Sequence, residues 1–387
     1  MIDSGSLLSF SPFQRLSARL LRAGFFLACG ATTLVTAQTP AHKTENVIVV
    51  MIDGMRWQDV YRGADPDLIK TLGPDGLGAP KERAAYAEKQ YARANPAESR
   101  AALMPFLWGT VAKQGQMFGN RDLGSDSHVT NGYNFSYPGY NETLTGAADV
   151  KINSNDNIPN PNVTVFEWLN KKSKFNGHVA AFGAWEDFDG IFNKARCNFP
   201  VNASYEPFTA MRETPELALL NRLKTEGVRV WPDEVFDPPM FYTAVEYVKY
   251  AKPHVLFLGL GETDDWAHAG SYAEYLNAAH RSDMYIGQLW ALIQSMPEYR
   301  DKTTLVVLPD HGRGEGSKWT GHGQEIPESS QTWMAWIGPD IAAKGERQNV
   351  GPVTESQVAA TLAALLGEDY HGAVPSTGAP IAEVLAK

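Results

Sequence analysis

The sequence predicts an α/β fold in which a mostly parallel central sheet is covered by helices on both faces. Short apolar runs rich in β-branched residues are typical of buried parallel strands. Amphipathic stretches with helical spacing lie between these runs, and this alternation is typical of such a sheet. The predicted strands are Asn46–Ile52, His178–Trp185, Val255–Leu260, Thr304–Leu308 and Thr332–Ile337. The predicted helices are Val163–Lys172, Thr214–Glu226, Met240–Ala251, Ser271–Met296 and Glu355–Leu366.

The first 37 residues have the pattern of a secretory signal peptide. Arg15, Arg19 and Arg22 precede the largely apolar stretch Ala23–Ala37, which ends in a small-x-small cleavage pattern before Gln38. The apolar stretch is short for a membrane span, which needs about 20 residues. We therefore predict export to the periplasm or the medium, with no stable membrane insertion once the signal is removed.

Composition is that of an ordinary globular protein, with 387 residues, 43% hydrophobic and 20% charged. The formal charge is −10. An acidic surface argues against nucleic acid as the main partner. A lipoprotein anchored at Cys29 is disfavoured because too few apolar residues separate it from Arg22. Once Cys29 is removed with the signal, Cys197 has no cysteine with which to form an internal disulfide.

Three of the predicted strands end in acidic residues. Asn46–Ile52 is followed by Asp53, Val255–Leu260 by a turn containing Asp264, and Thr304–Leu308 by Asp310. The carboxyl ends of parallel strands lie along one edge of a sheet, where ligands bind. An aspartate after a strand is usually a turn residue. Three of them at one edge indicate a metal site.

Histidines strengthen this prediction. Asp264 and His268 are four residues apart, so a helical turn would place both side chains on one face. His311 follows Asp310 directly, and His322 lies between two glycines that allow close backbone approach. Mixed aspartate and histidine ligands suit Zn²⁺, with Mn²⁺ as the alternative.

The ordered set of motifs resembles the alkaline phosphatase superfamily, particularly its nucleotide pyrophosphatase/phosphodiesterase branch. Residues 47–54 (VIVVMIDG) are similar to its first metal-binding strand, and the segment 135–146 (FSYPGYNETLTG) is similar to its nucleophile segment. Its Asp-x-x-x-His pair, Asp-His-Gly strand end and late histidine follow in the family's order. The resemblance implies a single alkaline-phosphatase-like catalytic domain over residues 43–387, with a polar insertion at about 63–99.

The resemblance also implies the roles of individual residues. One metal ion would be bound by Asp53, Asp310 and His311, and a second ion by Asp264, His268 and His322, with Ser136 between them. Ser136 would attack a phosphate ester and form a covalent phosphoseryl intermediate. A serine hydroxyl is a weak nucleophile unless a base or a cation lowers its pKa, so the paired ions are chemically reasonable.

Other acidic residues and histidines near these motifs leave alternatives open. Asp265 could replace Asp264 as a ligand, although the spacing to His268 favours Asp264. Asp283 and His280, on the following predicted helix, are expected to be structural. Glu262 could either orient a ligand or cap a helix on the surface.

The class of ester is less well defined by the sequence. Arg196, Arg313 and Asn141, or an asparagine within residues 153–157, could bind phosphate oxygens. Arg196 and Arg313 favour a small-molecule phosphomonoester, whereas the absence of a family-like Lys-x-Arg pair after Trp185 leaves a phosphodiester as the alternative. Sulfatases of this superfamily carry a (Cys/Ser)-x-Pro-x-Arg motif, but Tyr140 occupies the arginine position. The export signal argues against a phosphomutase. The complete set of ligands and the nucleophile argue against a non-catalytic binding protein.

Overall fold

An eight-stranded sheet forms the centre of the protein, and its middle strand β1 consists almost entirely of apolar residues. The computed structural model describes residues 42–73 and 79–386, so the predicted signal peptide lies outside the described residues. The strands are β1 (Asn46–Ile52), β2 (Gln116–Phe118), β3 (Ser125–His128), β4 (Val179–Gly183), β5 (Val201–Ala203), β6 (Val255–Leu260), β7 (Thr303–Leu308), β8 (Met334–Ile337), β9 (Gly345–Glu346) and β10 (Val350–Thr354).

Helices connect the strands and cover both faces of the sheet. They are α1 (Trp57–Arg62), α2 (Pro66–Ile69), α3 (Pro80–Tyr91), α4 (Pro96–Leu103), α5 (Ala112–Gln114), α6 (Ser136–Thr145), α7 (Val165–Asn170), α8 (Phe188–Ile191), α9 (Lys194–Cys197), α10 (Pro215–Glu226), α11 (Asp237–Ala251), α12 (Glu262–His268), α13 (Tyr272–Ser295), α14 (Val358–Leu365), α15 (Tyr370–Ala373) and α16 (Ala382–Leu385). None of the helices in the described part of the chain has the length and apolar character needed to cross a membrane.

The strand order in the large sheet is β5-β4-β6-β1-β7-β8-β2-β9. β1 pairs in parallel with both β6 and β7, and β4 pairs in parallel with β5 and β6. Only β8 runs antiparallel to its neighbours β7 and β2 within the described sheet. β10 and β3 form a separate two-stranded parallel sheet. The predicted α/β class with a mostly parallel sheet is therefore confirmed.

The two faces of β1 contribute to two different hydrophobic cores. Ile48, Val50 and Ile52 pack on one face in the core that includes α11 and α13, whereas Val47, Val49 and Met51 belong to the core formed with α6, α7 and α14. This alternation follows from the two-residue period of a strand. A strand buried on both faces must be apolar throughout, which is why β1 shows no polar alternation.

The predicted insertion at 63–99 is helical where it is described. α2, α3 and the first half of α4 lie within it, and each of these helices begins with a proline in its first turn. Proline is well suited to that position because its fixed φ is helical and its missing N–H would have no partner there. Asp65 and Asn95 cap α2 and α4 by accepting backbone N–H hydrogen bonds with their side chains.

Candidate metal centre and active site

The carboxyl ends of β1, β6 and β7 bring the predicted aspartates together. Asp53 follows β1, Asp264 lies in the first turn of α12 after β6, and Asp310 follows β7. Because β1 is hydrogen-bonded between β6 and β7, the three carboxylates converge at one edge of the sheet. The backbone N–H of Gly54 donates to Oδ1 of Asp310 over 3.0 Å, which ties two of these strand ends directly.

One candidate metal-binding group consists of Asp264, His268 and His322. Nε2 of His268 is 3.0 Å from Oδ2 of Asp264, one helical turn away in α12. The Nε2 atoms of His268 and His322 are 2.9 Å apart. Burial lowers the pKa of His322 to about 2, so this ring is neutral and keeps a lone pair for a ligand. Carboxylate and imidazole donors this close together can bind a metal ion.

The second group lies beside the first and shares Asp264 with it. Asp53, Asp264 and His311 each offer a ligand atom there. Nε2 of His311 is 3.4 Å from Oδ1 of Asp53 and 3.5 Å from Oδ2 of Asp310. The other ring nitrogen, Nδ1, is 2.8 Å from the backbone carbonyl oxygen of Gly312, which fixes the ring and directs Nε2 toward the carboxylates.

Unpaired buried oxygens indicate that this second group fits a cation. Oδ1 of Asp53 and Oδ2 of Asp310 are buried and have no hydrogen-bond partner among the described residues. Burial raises the pKa of both carboxyls well above the usual value, and the nearby Asp264 raises it further. A divalent ion would relieve both the desolvation and the repulsion, because buried charges require a counter-charge.

Ser136 occupies the first position of α6 and faces the second group. Its side chain is buried, and Oγ is 3.3 Å from Nε2 of His311. Backbone N–H groups at a helix N-terminus favour negative charge, so this position suits a phosphate group. Ser136 is thus brought together with the metal-ligand candidates, as expected of a nucleophile.

Gly139 allows α6 to approach the metal centre closely. A Cβ atom at this position would lie 2.2 Å from the backbone carbonyl oxygen of Asp310, a distance that no side chain tolerates. The helix that carries Ser136 can therefore pack directly on the loop that carries Asp310 and His311 only with glycine at position 139.

Tyr140 is a site residue that the sequence analysis did not identify. Its hydroxyl donates to Oδ2 of Asp53 over 3.0 Å, and its ring packs edge-on against Phe188 and Phe257. The backbone carbonyl of Asp53 also accepts a hydrogen bond from Oγ1 of Thr263 over 2.5 Å. These contacts hold Asp53 in place while leaving Oδ1 without a hydrogen-bond partner in the part of the chain that the structure describes. The only signal in the sequence is the position of Tyr140, four residues after Ser136.

Arg313 lies at the metal centre but is already paired. Its guanidinium group is almost completely buried and forms an ion pair with Oδ1 of Asp264, and it donates to the backbone carbonyl of Thr320 over 2.5 Å. Burial tends to raise the pKa of Asp264, but the opposing charge of Arg313 helps to hold it well below the usual value. Arg313 therefore acts on the candidate ligand Asp264.

The structure does not bring Arg196 or Asn141 together with the metal centre. Arg196 forms an ion pair with the buried Glu167 and donates to the backbone carbonyls of Asn160 and Asn162. Asn141 is fully buried and accepts hydrogen bonds from the side chains of Asn160 and Asn162. Both residues are held in the same polar network away from Ser136, because Glu167 and the asparagine-rich loop satisfy their polar groups.

Asn155 is the asparagine of the 153–157 segment that contacts the nucleophile segment. Oδ1 of Asn155 accepts the backbone N–H of Tyr137, the residue after Ser136, over 3.0 Å. This contact fixes the orientation of the amide, and its NH₂ group has no hydrogen-bond partner among the described residues. An oriented amide donor next to a serine is suited to bind an oxyanion.

The remaining acidic residues and histidines have structural contacts. Asp283 accepts the backbone N–H groups of Phe106 and Leu107 over 2.7 and 2.8 Å. Nδ1 of His280 is 2.8 Å from the carbonyl oxygen of Leu103. Glu262 is buried and paired with Arg281, so it is not a surface cap. Asp265 belongs to neither metal-binding group in the described residues, whereas Asp264 belongs to both.

Comparison with protein families identifies the relatives of this arrangement. Residues 47–377 match the model of the type I phosphodiesterase / nucleotide pyrophosphatase family. The chain belongs to this family. It is accordingly an enzyme of the alkaline phosphatase superfamily, a metal-dependent hydrolase of phosphoric esters. A search of curated proteins found no match.

Solved structures with the same fold belong to this superfamily. The wild-type alkaline phosphatase PafA has a TM-score of 0.58 at 11% identity, covering 90% of this chain and 100% of its own. An alkaline phosphatase superfamily protein from Vibrio parahaemolyticus has a TM-score of 0.53 at 15% identity, with coverage of 89% and 71%. The phosphonate monoester hydrolase SpPMH from Silicibacter pomeroyi has a TM-score of 0.50 at 14% identity, with coverage of 88% and 76%. At these identities the similarity shows the fold alone.

Proposed function

We propose that this enzyme hydrolyses small-molecule phosphate esters with Ser136 as nucleophile and two divalent ions as cofactors. The observation that supports this most strongly is the position of Ser136. Its Oγ is buried at the start of α6, 3.3 Å from His311 and beside two groups of carboxylate and imidazole ligands that share Asp264. Phosphoryl transfer through two ions requires a nucleophile placed in this way.

The donor atoms suggest which ions are bound. Asp53, Asp310 and His311 would bind one ion, and Asp264, His268 and His322 the other. Carboxylate and imidazole donors favour Zn²⁺, with Mn²⁺ as the alternative. When bound, the ions supply Lewis-acid stabilisation and lower the pKa of a nearby hydroxyl group.

Residues of this chain would carry out the transfer in two steps. In the first step, Oγ of Ser136 loses its proton and attacks phosphorus, and the ester P–O bond breaks to release the alcohol, which takes up a proton. In the second step, the oxygen of a water molecule attacks phosphorus, the bond between Oγ and phosphorus breaks, and a proton from the water restores the hydroxyl of Ser136. The NH₂ group of Asn155 would donate to a non-bridging phosphate oxygen.

The electrostatic environment favours a diester over a monoester. A monoester carries an additional negative charge, which usually requires free arginine or lysine side chains. Arg196 and Arg313 are both paired with carboxylates in this structure. Glu186 and Asp187 follow β4, where the superfamily resemblance would place cations. Burial and Glu186 raise the pKa of Asp187 to about 7. We therefore propose a phosphodiester as the substrate, in agreement with the matched family.

A paired assay with purified, zinc-loaded protein tests this function. Hydrolysis of bis-p-nitrophenyl phosphate should exceed that of p-nitrophenyl phosphate in kcat/KM, and Ser136→Ala should abolish it. Ser295→Ala is the matched control, because Ser295 is exposed and donates only to the carbonyl of Leu292. Faster monoester hydrolysis would reject the diester preference, whereas equal activity in Ser136→Ala would reject Ser136 as the nucleophile.

Export is part of the proposal. The signal-peptide pattern of residues 1–37 supports release of a mature protein that begins at Gln38. N-terminal sequencing of the protein recovered from the periplasm or the medium would test this. A mature chain that retains Arg15, Arg19 and Arg22 would contradict export by this signal.

A further inference from the structure

A cavity of about 370 Å³ lies beside the segment that follows Asp53. Its lining is formed by Arg56 and α1, by residues 63–67, 93–96 and 99 of the insertion, and by Glu315 and Gly316. The polar side chains relevant to its chemistry are Arg56, Gln58, Asp59, Arg62, Arg93 and Glu315. A cavity of this size accommodates a small organic group.

Arg56 in the wall of this cavity has unused hydrogen-bond donors. Its side chain is 2% exposed, and Nε and Nη1 are buried without a hydrogen-bond partner among the described residues. Asp59 balances the charge, with Nε of Arg56 3.4 Å from its Oδ2. The buried Oε1 of Gln58 also has no partner in this part of the structure. Leaving buried polar groups unpaired is costly, so a ligand that pairs with them would bind favourably.

The carboxylates around the cavity are already engaged. Asp59 accepts hydrogen bonds from the hydroxyl groups of Tyr272 and Tyr275, over 2.5 and 2.9 Å. Glu315 accepts from the side-chain amide of Gln58 over 2.9 Å, Asp65 caps α2, and the exposed Asp67 forms an ion pair with Lys70 over 3.1 Å. These acidic groups therefore do not define the cavity as a cation site.

The other two arginines are also engaged. Arg62 makes a two-pronged ion pair with Asp122, with both distances 2.7 Å. Arg93 donates to backbone carbonyls at the end of α3, including that of Ala92 over 2.7 Å. Of the three arginines that line the cavity, Arg56 is thus the one with buried nitrogens that lack a hydrogen-bond partner among the described residues.

The cavity lies close to the metal centre along the chain. Arg56 is three residues after Asp53, so their Cα atoms are at most about 11 Å apart. Glu315, which lines the cavity beside Gln58, is four residues after His311. A substrate with its phosphorus at Ser136 would therefore need an alcohol portion long enough to extend from the metal centre into the cavity.

We propose that this cavity binds an anionic group, a carboxylate or a phosphate, on one of the alcohol portions of the ester, with Arg56 as the recognising residue. This inference rests on the proposed function and identifies a class of substrate for the same site. A guanidinium group binds such oxyanions through paired hydrogen bonds. Gln58 would accept a hydrogen bond from a hydroxyl group on the same portion of the substrate.

Two diesters that differ only at the distant end test the proposal. p-Nitrophenyl butyl phosphate and p-nitrophenyl 3-carboxypropyl phosphate release the same chromophore. In the zinc-loaded enzyme, kcat/KM should be higher for the carboxypropyl ester than for the butyl ester. The ratio of the first value to the second should fall roughly tenfold when the charged hydrogen bonds from Arg56 are removed. The variant is Arg56→Gln combined with Asp59→Asn, which leaves no uncompensated buried charge. Arg56→Lys keeps the charge without the planar fork and should lower the ratio by a smaller factor.

Arg62→Gln is the matched control, because Arg62 lines the same cavity but is paired with Asp122. An unchanged ratio in folded Arg56 variants, or an equal fall in Arg62→Gln, would overturn the proposal. If neither diester is hydrolysed above the Ser136→Ala level, the proposed function fails separately. Binding of 4-hydroxybutyrate, detected by NMR, then tests whether the cavity recognises a carboxylate. Binding that is lost in the Arg56 variants supports the proposed anion site, and binding that is unaffected by the variants overturns it.

Discussion

The hydroxyl of Tyr140 donates to Oδ2 of Asp53 over 3.0 Å, so the helix that begins at Ser136 also positions a candidate metal ligand one turn later. Ser136 and Tyr140 are four residues apart in α6 and therefore lie on one face of the helix. A displacement of α6 would move the nucleophile and the ligand together. This coupling makes the hydroxyl of Tyr140 the most informative single atom to remove.

Tyr140→Phe should weaken metal binding. The phenylalanine ring fills the same space against Phe188 and Phe257, but one buried oxygen of Asp53 loses its donor. Loss of a hydrogen bond to a metal-binding residue typically lowers metal affinity or activity by 10–100-fold. We expect the zinc dissociation constant, measured with a competing chelator, to rise by roughly tenfold. Tyr137→Phe is the control, because its hydroxyl donates to the carbonyl of Ile158. Equal effects of both variants would contradict the role of Tyr140.

Asp264→Asn should lower the metal content of the protein far more than Asp265→Asn. Asp264 offers a ligand atom to both groups, whereas its neighbour belongs to neither. Loss of a shared carboxylate removes negative charge from both sites and leaves Arg313 without its partner. Elemental analysis after gel filtration should give about two zinc ions per chain for wild type and for Asp265→Asn, as in other two-metal sites. A full metal complement in Asp264→Asn would exclude Asp264 as the shared ligand.

Gly139→Ala tests the close approach of α6 to the metal centre. The added methyl group would meet the carbonyl oxygen of Asp310, so α6 must shift and carry Ser136 with it. We expect a loss of roughly 1–3 kcal/mol in the free energy of unfolding, typical of overpacking. A misplacement of about 1 Å should also lower kcat by up to about 100-fold. Gly109→Ala is the control, because nothing lies within 4 Å of its Cβ position. Full activity of Gly139→Ala would show that α6 can adjust at little cost.

The parts of the fold that could be predicted from the sequence are the long buried strands. β1 and β6 have the predicted bounds, because seven and six consecutive buried residues leave a continuous apolar signal. β2 and β9 have three and two residues, too few for any periodicity, and they were not predicted. Their place in the sheet depends on pairing with distant strands, which local sequence does not encode.

Prediction of the site shows the same limit. The aspartates and histidines that the structure brings together were recognisable because strand ends and the spacing of Asp264 and His268 mark them in the sequence. The pairing of Arg196 with Glu167 could not be recognised in the sequence, because the two residues are 29 positions apart and meet only in the folded chain. Apart from its position four residues after Ser136, Tyr140 had no signal in the sequence, since an aromatic residue in a buried helix usually belongs to the core.

Lys224→Met should change the dependence of stability on pH. The amine of Lys224 is fully buried, hydrogen-bonded to Oδ1 of Asn202 and 3.9 Å from Sδ of Met240. Burial lowers its pKa to about 7, whereas a lysine in the unfolded chain has a pKa of about 10.4. Between these values the unfolded chain holds a proton that the folded chain lacks, so stability increases with pH. Below pH 7 both states are protonated, and this lysine contributes no pH dependence.

Urea unfolding at pH 6 and pH 9 measures this contribution directly. The stability of wild type minus that of Lys224→Met should rise by about 2.7 kcal/mol between the two values, because each of the two pH units above the folded pKa contributes about 1.36 kcal/mol. Lys249→Met is the control on the neighbouring helix α11, since Lys249 is exposed and paired with Glu246. Its difference from wild type should not change with pH in this range. If the stability difference between wild type and Lys224→Met is the same at pH 6 and pH 9, the amine stays protonated in the folded state. The hydrogen bond to Asn202 would then compensate for the burial of its charge.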